Sequence, residues 1–146
     1  MSLPLLDVEL PTAPGNERLA MDHVALVLVD RLPTAALDRL CTAVAEATMN
    51  AMEHGNGNDP ALTVRLEVLA GADNVVVRVT DHGAGRGTDV EEPDLGAKLA
   101  GRQHARGWGL FLIRNLVDDL HDTTRDGLHT VELRIAAKGV AHVEGR

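Results

Sequence analysis

The sequence contains almost no aromatic residues. Its 146 residues include one Trp, one Phe and no Tyr, so the core must consist of Leu, Val, Ala and Ile. An aromatic platform for stacking bases is therefore not expected.

Basic residues are also few: the chain has 14 Lys and Arg against 22 Asp and Glu, which gives a formal net charge of -8. Nucleic acids bind to concentrated basic surfaces, so we expect no direct contact with DNA or RNA.

Cysteine and long apolar runs are also scarce. The single cysteine, Cys41, cannot form an internal disulfide or a thiolate metal cage, and it lies on the apolar stripe of a predicted helix. The longest unbroken apolar run, Val24 to Val29, is too short to cross a bilayer. The N-terminus has no basic region followed by an apolar stretch. We therefore expect a cytoplasmic protein with no membrane partner and with Cys41 in the core.

The length and composition fit one globular domain. A chain of 146 residues, 45% of them apolar, can bury a core without disulfides. We expect a single domain over residues 1–146, with a folded core over about residues 8–136. The segment after Lys138 has no hydrophobic pattern and is expected to be a flexible tail.

Hydrophobic periodicity predicts the order of strands and helices. Alternating apolar residues predict four strands, at residues 6–10, 63–68, 75–79 and 131–135. Apolar residues at helical spacing predict three helices, at residues 18–32, 34–53 and 107–120. Pro33 is expected to stop the first helix and Thr34 to cap the second.

The segment between residues 81 and 107 lacks any core-facing period, which is typical of a functional lid or a disordered loop. The two middle strands are joined by a short turn and predict an antiparallel hairpin. The whole order predicts an α/β (α+β) two-layer sandwich, in which helices cover one face of a mixed, mainly antiparallel sheet.

The second predicted helix has a polar face. Glu46, Asn50 and Glu53 recur at helical spacing, so they share one side, whereas apolar residues around Val44 fill the other. Charged helix faces usually point to solvent, and that interpretation is sufficient for this helix alone.

Two later motifs place glycines beside groups that can bind a nucleotide. Asp81-His82-Gly83-Ala84-Gly85 follows a predicted strand, and Gly107-Trp108-Gly109-Leu110 opens a predicted helix. Glycine lets the backbone turn tightly and approach a ligand closely. A helix start directs free N–H groups at anions such as phosphate. Each motif alone could equally be an ordinary turn or helix start.

Together, the polar helix face and the two glycine motifs resemble the nucleotide-binding boxes of the GHKL ATPase superfamily, which has the Bergerat fold. Within that superfamily the chain resembles the bacterial anti-sigma-factor serine/threonine kinases, over about residues 8–136. The resemblance implies a GHKL-type ATP-binding domain that uses ATP and Mg²⁺. It further implies a protein kinase that phosphorylates a STAS-domain anti-sigma antagonist, binds a sigma factor and forms a homodimer.

The resemblance also assigns roles to individual positions. Asp81 would accept a hydrogen bond from the adenine amine, Asn50 would hold Mg²⁺ through its amide oxygen, and Glu46 would be the catalytic general base. Arg106 is the preferred lid cation, ahead of Lys98 and Arg102, because it adjoins the second glycine motif. The nucleotide-binding positions implied are Asn50, Asp81, Gly83, Gly85, Arg106, Gly107, Gly109, Leu110 and Thr130.

The start of the last predicted strand departs from the family pattern, and so does Trp108 between the two glycines of the second motif. Members usually have Gly-Thr at the start of the last strand, where this chain has Leu128-His129 and a threonine, Thr130, one residue later. Two other functions stay open. The chain could be a non-catalytic ATP-binding regulatory module, although Glu46 is retained. It could also be a histidine-kinase catalytic domain, but that domain normally follows a helical hairpin and this chain begins with a strand.

Overall fold

The computed structural model describes residues 2–83 and 105–137, with the backbone alone described for residues 105–110. It confirms the predicted two-layer α/β architecture, since the helices cover one face of a five-stranded sheet. In chain order the elements are β1 (Leu3–Pro11), α1 (Asn16–Leu28), α2 (Thr34–Asn50), β2 (Thr63–Ala70), β3 (Asn74–Asp81), α3 (Ala105–Leu116), β4 (Asp119–Arg125) and β5 (Leu128–Ala136).

The sheet has the strand order β1-β2-β3-β5-β4. All four pairings among the described strands are antiparallel, including the predicted hairpin of β2 and β3. The sheet is thus antiparallel rather than mixed over these strands. The register of β3 and β5 sets Asp81 directly opposite His129, and this pairing positions the site described below.

The core lies between the helices and one face of the sheet. Alternate residues of each central strand point to this face, because side chains in a strand change sides at every residue. Cys41 on α2 is 8% exposed and free, which confirms its predicted place in the core. The largest buried side chains are Leu28, Leu40, Leu66, Ile113, Leu133 and Ile135.

The end of α1 and the cap of α2 differ from the prediction. Helix α1 ends at Leu28 rather than at residue 32, and the next residues form a turn in which Arg31 N–H donates to the Leu28 carbonyl at 2.9 Å. Thr34 does not cap α2, because Pro33 holds the N-cap position and Thr34 is the first helical residue. Proline suits this place because its ring fixes φ near the -60° found there. None of the described helices is long and apolar enough to cross a membrane.

Strand β4 was not predicted. Residues 117–120 were assigned to the end of a helix, whereas α3 ends at Leu116 and β4 begins at Asp119. This strand lies at the sheet edge and carries mostly polar side chains, so its sequence lacks the alternation that reveals a half-buried strand. A signal was nevertheless present. Asp126-Gly127, both with positive φ, form the two-residue turn between β4 and β5, and Asp-Gly is a strong hairpin signal.

Candidate functional site

Helix α2 changes its hydrogen-bonding pattern immediately after Asn50. Residues Ala51–Gly55 form one π-helical turn, in which the Asn56 N–H donates to the Ala51 carbonyl at 2.7 Å. Single π-turns are frequent at functional sites. Here the turn brings the Gly55 backbone against the end of β3, where an added Cβ would overlap the Asp81 carboxyl group. Any side chain at Gly55 would therefore displace Asp81.

Asn56 connects three segments beside this contact. Its side chain is buried, and its nitrogen donates to Thr12 Oγ1 at 2.9 Å and to the Thr63 carbonyl at 3.1 Å. Its oxygen accepts the His82 N–H at 2.8 Å. Asn56 thereby joins the end of β1, the start of β2 and the residue that follows Asp81.

Asp81 is the last residue of β3 and is only 2% exposed. Its Oδ1 accepts the Gly83 N–H at 2.7 Å, and its Oδ2 lies 3.0 Å from Nδ1 of His129. An added Cβ at Gly83 would lie 2.7 Å from Asp81 Oδ1 and 2.9 Å from the Gly55 Cα. Glycine at both positions therefore lets two backbone segments close around one carboxylate.

His129 bridges two carboxylates. Its Nδ1 is bonded to Asp81 and its Nε2 to Asp122 on β4, and its side chain is 7% exposed. The hydrogen bond to Asp122, followed in size of effect by the one to Asp81, raises the pKa of His129 to about 9, although burial opposes the charged form. At neutral pH the ring is therefore an imidazolium whose two N–H groups both donate.

A small cleft lies between α2 and the ends of β3 and β5. Its walls are mostly short and apolar, and the polar side chains among them belong to Asn50, Asp81 and His129. A flat ring with polar groups on its edge fits such a site, because the apolar walls can cover its faces. The residues lining it are Ala47, Asn50, Ala51, Gly55, Val79, Asp81, His129 and Val131.

The cleft contains an amide that lacks a protein partner. The side-chain nitrogen of Asn50 is buried and has no hydrogen-bond partner among residues 2–83 and 105–137. Buried polar groups are normally paired, so this amide has bonding capacity for a ligand. The unpaired nitrogen is a hydrogen-bond donor, which suits a phosphate or water oxygen, whereas the amide oxygen of the same side chain is the kind of ligand that magnesium prefers. Glu46, one helical turn earlier, is partly buried and is not among the described residues that line the cleft.

The structure separates Thr130 from the cleft. Residues of β5 alternate between the two faces of the sheet, so His129 points toward the helices and Thr130 toward the open face. There Thr130 Oγ1 forms a hydrogen bond of 2.9 Å with Thr80 Oγ1. The side chain at this place in the cleft is thus His129.

The other predicted positions lie at the start of α3 or outside the described residues. Helix α3 begins at Ala105, so Arg106 belongs to its first turn rather than to the predicted lid, and Gly107, Gly109 and Leu110 lie within the helix as predicted. Gly85, the predicted lid with Lys98 and Arg102, and the predicted flexible tail lie outside the described residues.

Four residues of the site were not predicted: Gly55, Asn56, Asp122 and His129. His129 was visible only as a departure from the family pattern, and its partner Asp122 was hidden because β4 was not recognised. Gly55 and Asn56 lie beyond residue 53, where the second helix was predicted to end. Their contacts join segments far apart in the chain, which a pattern of neighbouring residues does not reveal.

Comparisons with known proteins identify the family of this chain. A family model of the histidine kinase-like ATPase domain matches residues 10–135. The anti-sigma F factor of Anoxybacillus flavithermus is 32% identical over 122 residues, covering 81% of this chain and 82% of that protein. The serine-protein kinase RsbW of Listeria monocytogenes is 29% identical over 100 residues, covering 66% of this chain and 64% of that protein.

Solved structures share the fold. The RsbU and RsbW domains of Rv1364c from Mycobacterium tuberculosis match with a TM-score of 0.62 and 21% identity, over 91% of this chain and 32% of that chain. The SiaB–SiaC complex from Pseudomonas aeruginosa matches with a TM-score of 0.60 and 16% identity, over 91% of this chain and 90% of that chain.

The chain belongs to the histidine kinase-like ATPase domain family. Within it, the chain belongs to the group of anti-sigma factors and serine-protein kinases, as the sequence predicted. The predictions of a GHKL-type fold and of an ATP-binding serine kinase domain are therefore confirmed.

Proposed function

We propose that this protein is an ATP-dependent serine/threonine kinase that phosphorylates a STAS-domain anti-sigma antagonist and binds a sigma factor. The observation that carries the proposal is the buried carboxylate of Asp81 in the wall of a small, mainly apolar cleft. It is supported by relatives named anti-sigma F factor and serine-protein kinase.

Adenine is the part of the substrate that this cleft suits. The side chains of Ala47, Ala51, Val79 and Val131 can cover the faces of a purine. Asp81 can accept a hydrogen bond from the exocyclic amine, because each carboxylate oxygen keeps acceptor capacity beyond its present bond. The glycines at positions 55 and 83 leave the carboxylate in reach of the base.

The phosphates would lie toward Asn50 and the start of α3. Asn50 would hold Mg²⁺ through its amide oxygen, and when bound this ion neutralises phosphate charge. Gly107 is among the first four residues of α3, whose N–H groups have no partner within the helix and attract anions. Gly109, one residue beyond them, would let the phosphates approach the backbone closely. Arg106 is adjacent to Gly107 in sequence and supplies a cation for the same phosphates. Gly85 and Leu110 complete the proposed binding set.

Glu46 is the proposed general base. It precedes Asn50 by one helical turn, a spacing of about 5–6 Å between Cβ atoms. In the transfer, the substrate serine Oγ forms a bond to the γ-phosphorus while the bond from that phosphorus to the β–γ bridging oxygen breaks. Glu46 takes the hydroxyl proton and ADP leaves.

The protein partners and the homodimer are also proposals. Sigma factors act in the cytoplasm, which agrees with the location expected from the sequence. The dimer would form through the open face of the sheet. In the described strands this face is polar, with Arg78 paired to Glu132 at 2.9 Å and Arg65 to Asp7 at 2.8 Å. Analytical ultracentrifugation with and without ATP tests the dimer directly.

The kinase is tested by incubating the protein with γ-labelled ATP, Mg²⁺ and purified STAS-domain proteins from the same genome. We expect phosphoserine or phosphothreonine on one of them. Glu46→Gln should abolish this transfer and keep ATP binding, because the amide retains the shape of the side chain but cannot take a proton.

Glu53→Gln is the matched control. Glu53 is exposed and lies two helical turns beyond Glu46, so the same substitution there should leave transfer unchanged. Binding of ATP with no transfer to any STAS-domain protein would contradict the kinase activity and favour a regulatory module. Transfer that survives Glu46→Gln would remove Glu46 from the mechanism.

A further inference from the structure

Asp81 and His129 form a buried pair in the wall of the cleft. We propose that His129 determines base selectivity by keeping Asp81 a fixed hydrogen-bond acceptor, so that the cleft takes a 6-aminopurine and rejects a 6-oxopurine. This inference rests on the proposed function, in which Asp81 contacts the base. It adds a specificity-determining residue that lies at a position where this chain departs from its family.

Three strands hold His129 in one orientation. The ring is on β5, its Nδ1 is 3.0 Å from Asp81 Oδ2 on β3, and its Nε2 is bonded to Asp122 on β4. With carboxylates at both ring nitrogens, the imidazolium donates at both and accepts at neither. The group that faces Asp81 is therefore always a donor, and the carboxylate that faces the base is always an acceptor.

Adenine and hypoxanthine differ at the position that Asp81 would contact. Adenine carries an amine there, which donates to a carboxylate. Hypoxanthine carries a carbonyl oxygen, which would place two acceptors face to face in a site where Asp81 is only 2% exposed. A buried acceptor without a donor is unfavourable, and sites built around such a contact reject the mismatched ligand strongly.

The positive charge of His129 is needed to maintain the preference for a 6-aminopurine over a 6-oxopurine. Burial favours the protonated form of a carboxyl group when no positive charge compensates it. A protonated carboxyl can donate to the 6-oxygen as well as accept from the 6-amine. Removing the charge of His129 should therefore reduce the selectivity of the cleft. If His129 had only a packing role, the same substitution would lower the affinity for both nucleotides equally.

The experiment compares ATP with ITP by calorimetry, since ITP has an oxygen where ATP has the 6-amine. Wild-type protein should prefer ATP by at least about tenfold, and His129→Asn should reduce the preference to within about threefold. His121→Asn is the matched control, because His121 is an exposed residue of β4 that pairs with Asp119 on the other face of the sheet. It should keep the wild-type preference.

A measurement on the wild-type protein does not depend on the folding of a variant. The ¹⁵N shifts of His129 in the ATP complex at pH 7.5 should show both ring nitrogens protonated. A neutral ring in that complex would overturn the proposal, and so would an unchanged ATP preference in His129→Asn. An equal loss of preference in His121→Asn would also overturn it.

The result separates this inference from the proposed function. If wild-type protein binds neither nucleotide, both are wrong. If it binds ATP and transfers no phosphate, the kinase proposal fails and the selectivity measurement still decides the role of His129.

Discussion

Gly55 lies so close to Asp81 that a single added methyl group would overlap the carboxyl carbon. We expect Gly55→Ala to push the carboxylate out of its place and so weaken its contact with ATP. The affinity for ATP should fall at least about tenfold, which corresponds to about 1.4 kcal/mol. It should also destabilise the fold by roughly 1–3 kcal/mol through overpacking. Calorimetry and urea unfolding measure the two effects.

Gly57→Ala is the control for this substitution. Gly57 has φ of +61° and nothing within 4 Å of an added Cβ, so alanine there introduces backbone strain without a clash. It should cost about 1 kcal/mol of stability and leave ATP affinity unchanged. Equal loss of ATP affinity in both variants would contradict the close packing of Gly55 on Asp81.

The His129 bridge predicts a fall of stability with rising pH. The folded-state pKa is about 9 against an ordinary value of 6.5, so between these values the folded protein holds a proton that the unfolded chain has released. The stabilisation is complete below pH 6.5 and is lost as the pH rises through 9. A rise of this size corresponds to about 3 kcal/mol.

Urea unfolding at pH 6.5 to 8.5 measures this slope. The upper limit is set by Cys41, because burial raises the pKa of its thiol and adds a further pH dependence above 9. His129→Asn should remove most of the slope and His121→Asn should keep it. A wild-type stability that stays level over this range would show that His129 is neutral in the folded protein.

Asn56 should be important for both stability and the site. Asn56→Ala leaves the Thr63 carbonyl and the His82 N–H without their partner, which should cost roughly 2–4 kcal/mol. Because His82 follows Asp81, ATP affinity should fall as well. Asn58→Gly is the control, since Asn58 is exposed with φ of +61° and glycine accepts this conformation without strain. Stability equal to wild type in Asn56→Ala would show that water replaces its hydrogen bonds.

The sequence was sufficient to predict the helices and strands that bury one face, because burial of one face produces a periodic pattern of apolar residues. The apolar stripe of α2 and the alternation in β2, β3 and β5 follow from contact with one core, so each can be read from its own residues. β4 has no such period, because it is a polar edge strand. The family motif located Asp81, but its bonds to Gly83 and His129, like its contact with Gly55, depend on the packing of separate segments.

Substitution of Asn50 tests whether this residue binds a ligand or stabilises the fold. Its buried side-chain nitrogen has no partner within the described part of the chain, so Asn50→Ala should not lower the stability of the nucleotide-free protein. If Asn50 holds Mg²⁺, the same variant should reduce ATP affinity in the presence of the ion by about tenfold or more, about 1.4 kcal/mol. Affinity in EDTA should change little. Thermal unfolding and calorimetry with and without Mg²⁺ measure these quantities, and a variant that is less stable yet binds Mg²⁺-ATP normally would make Asn50 a structural residue.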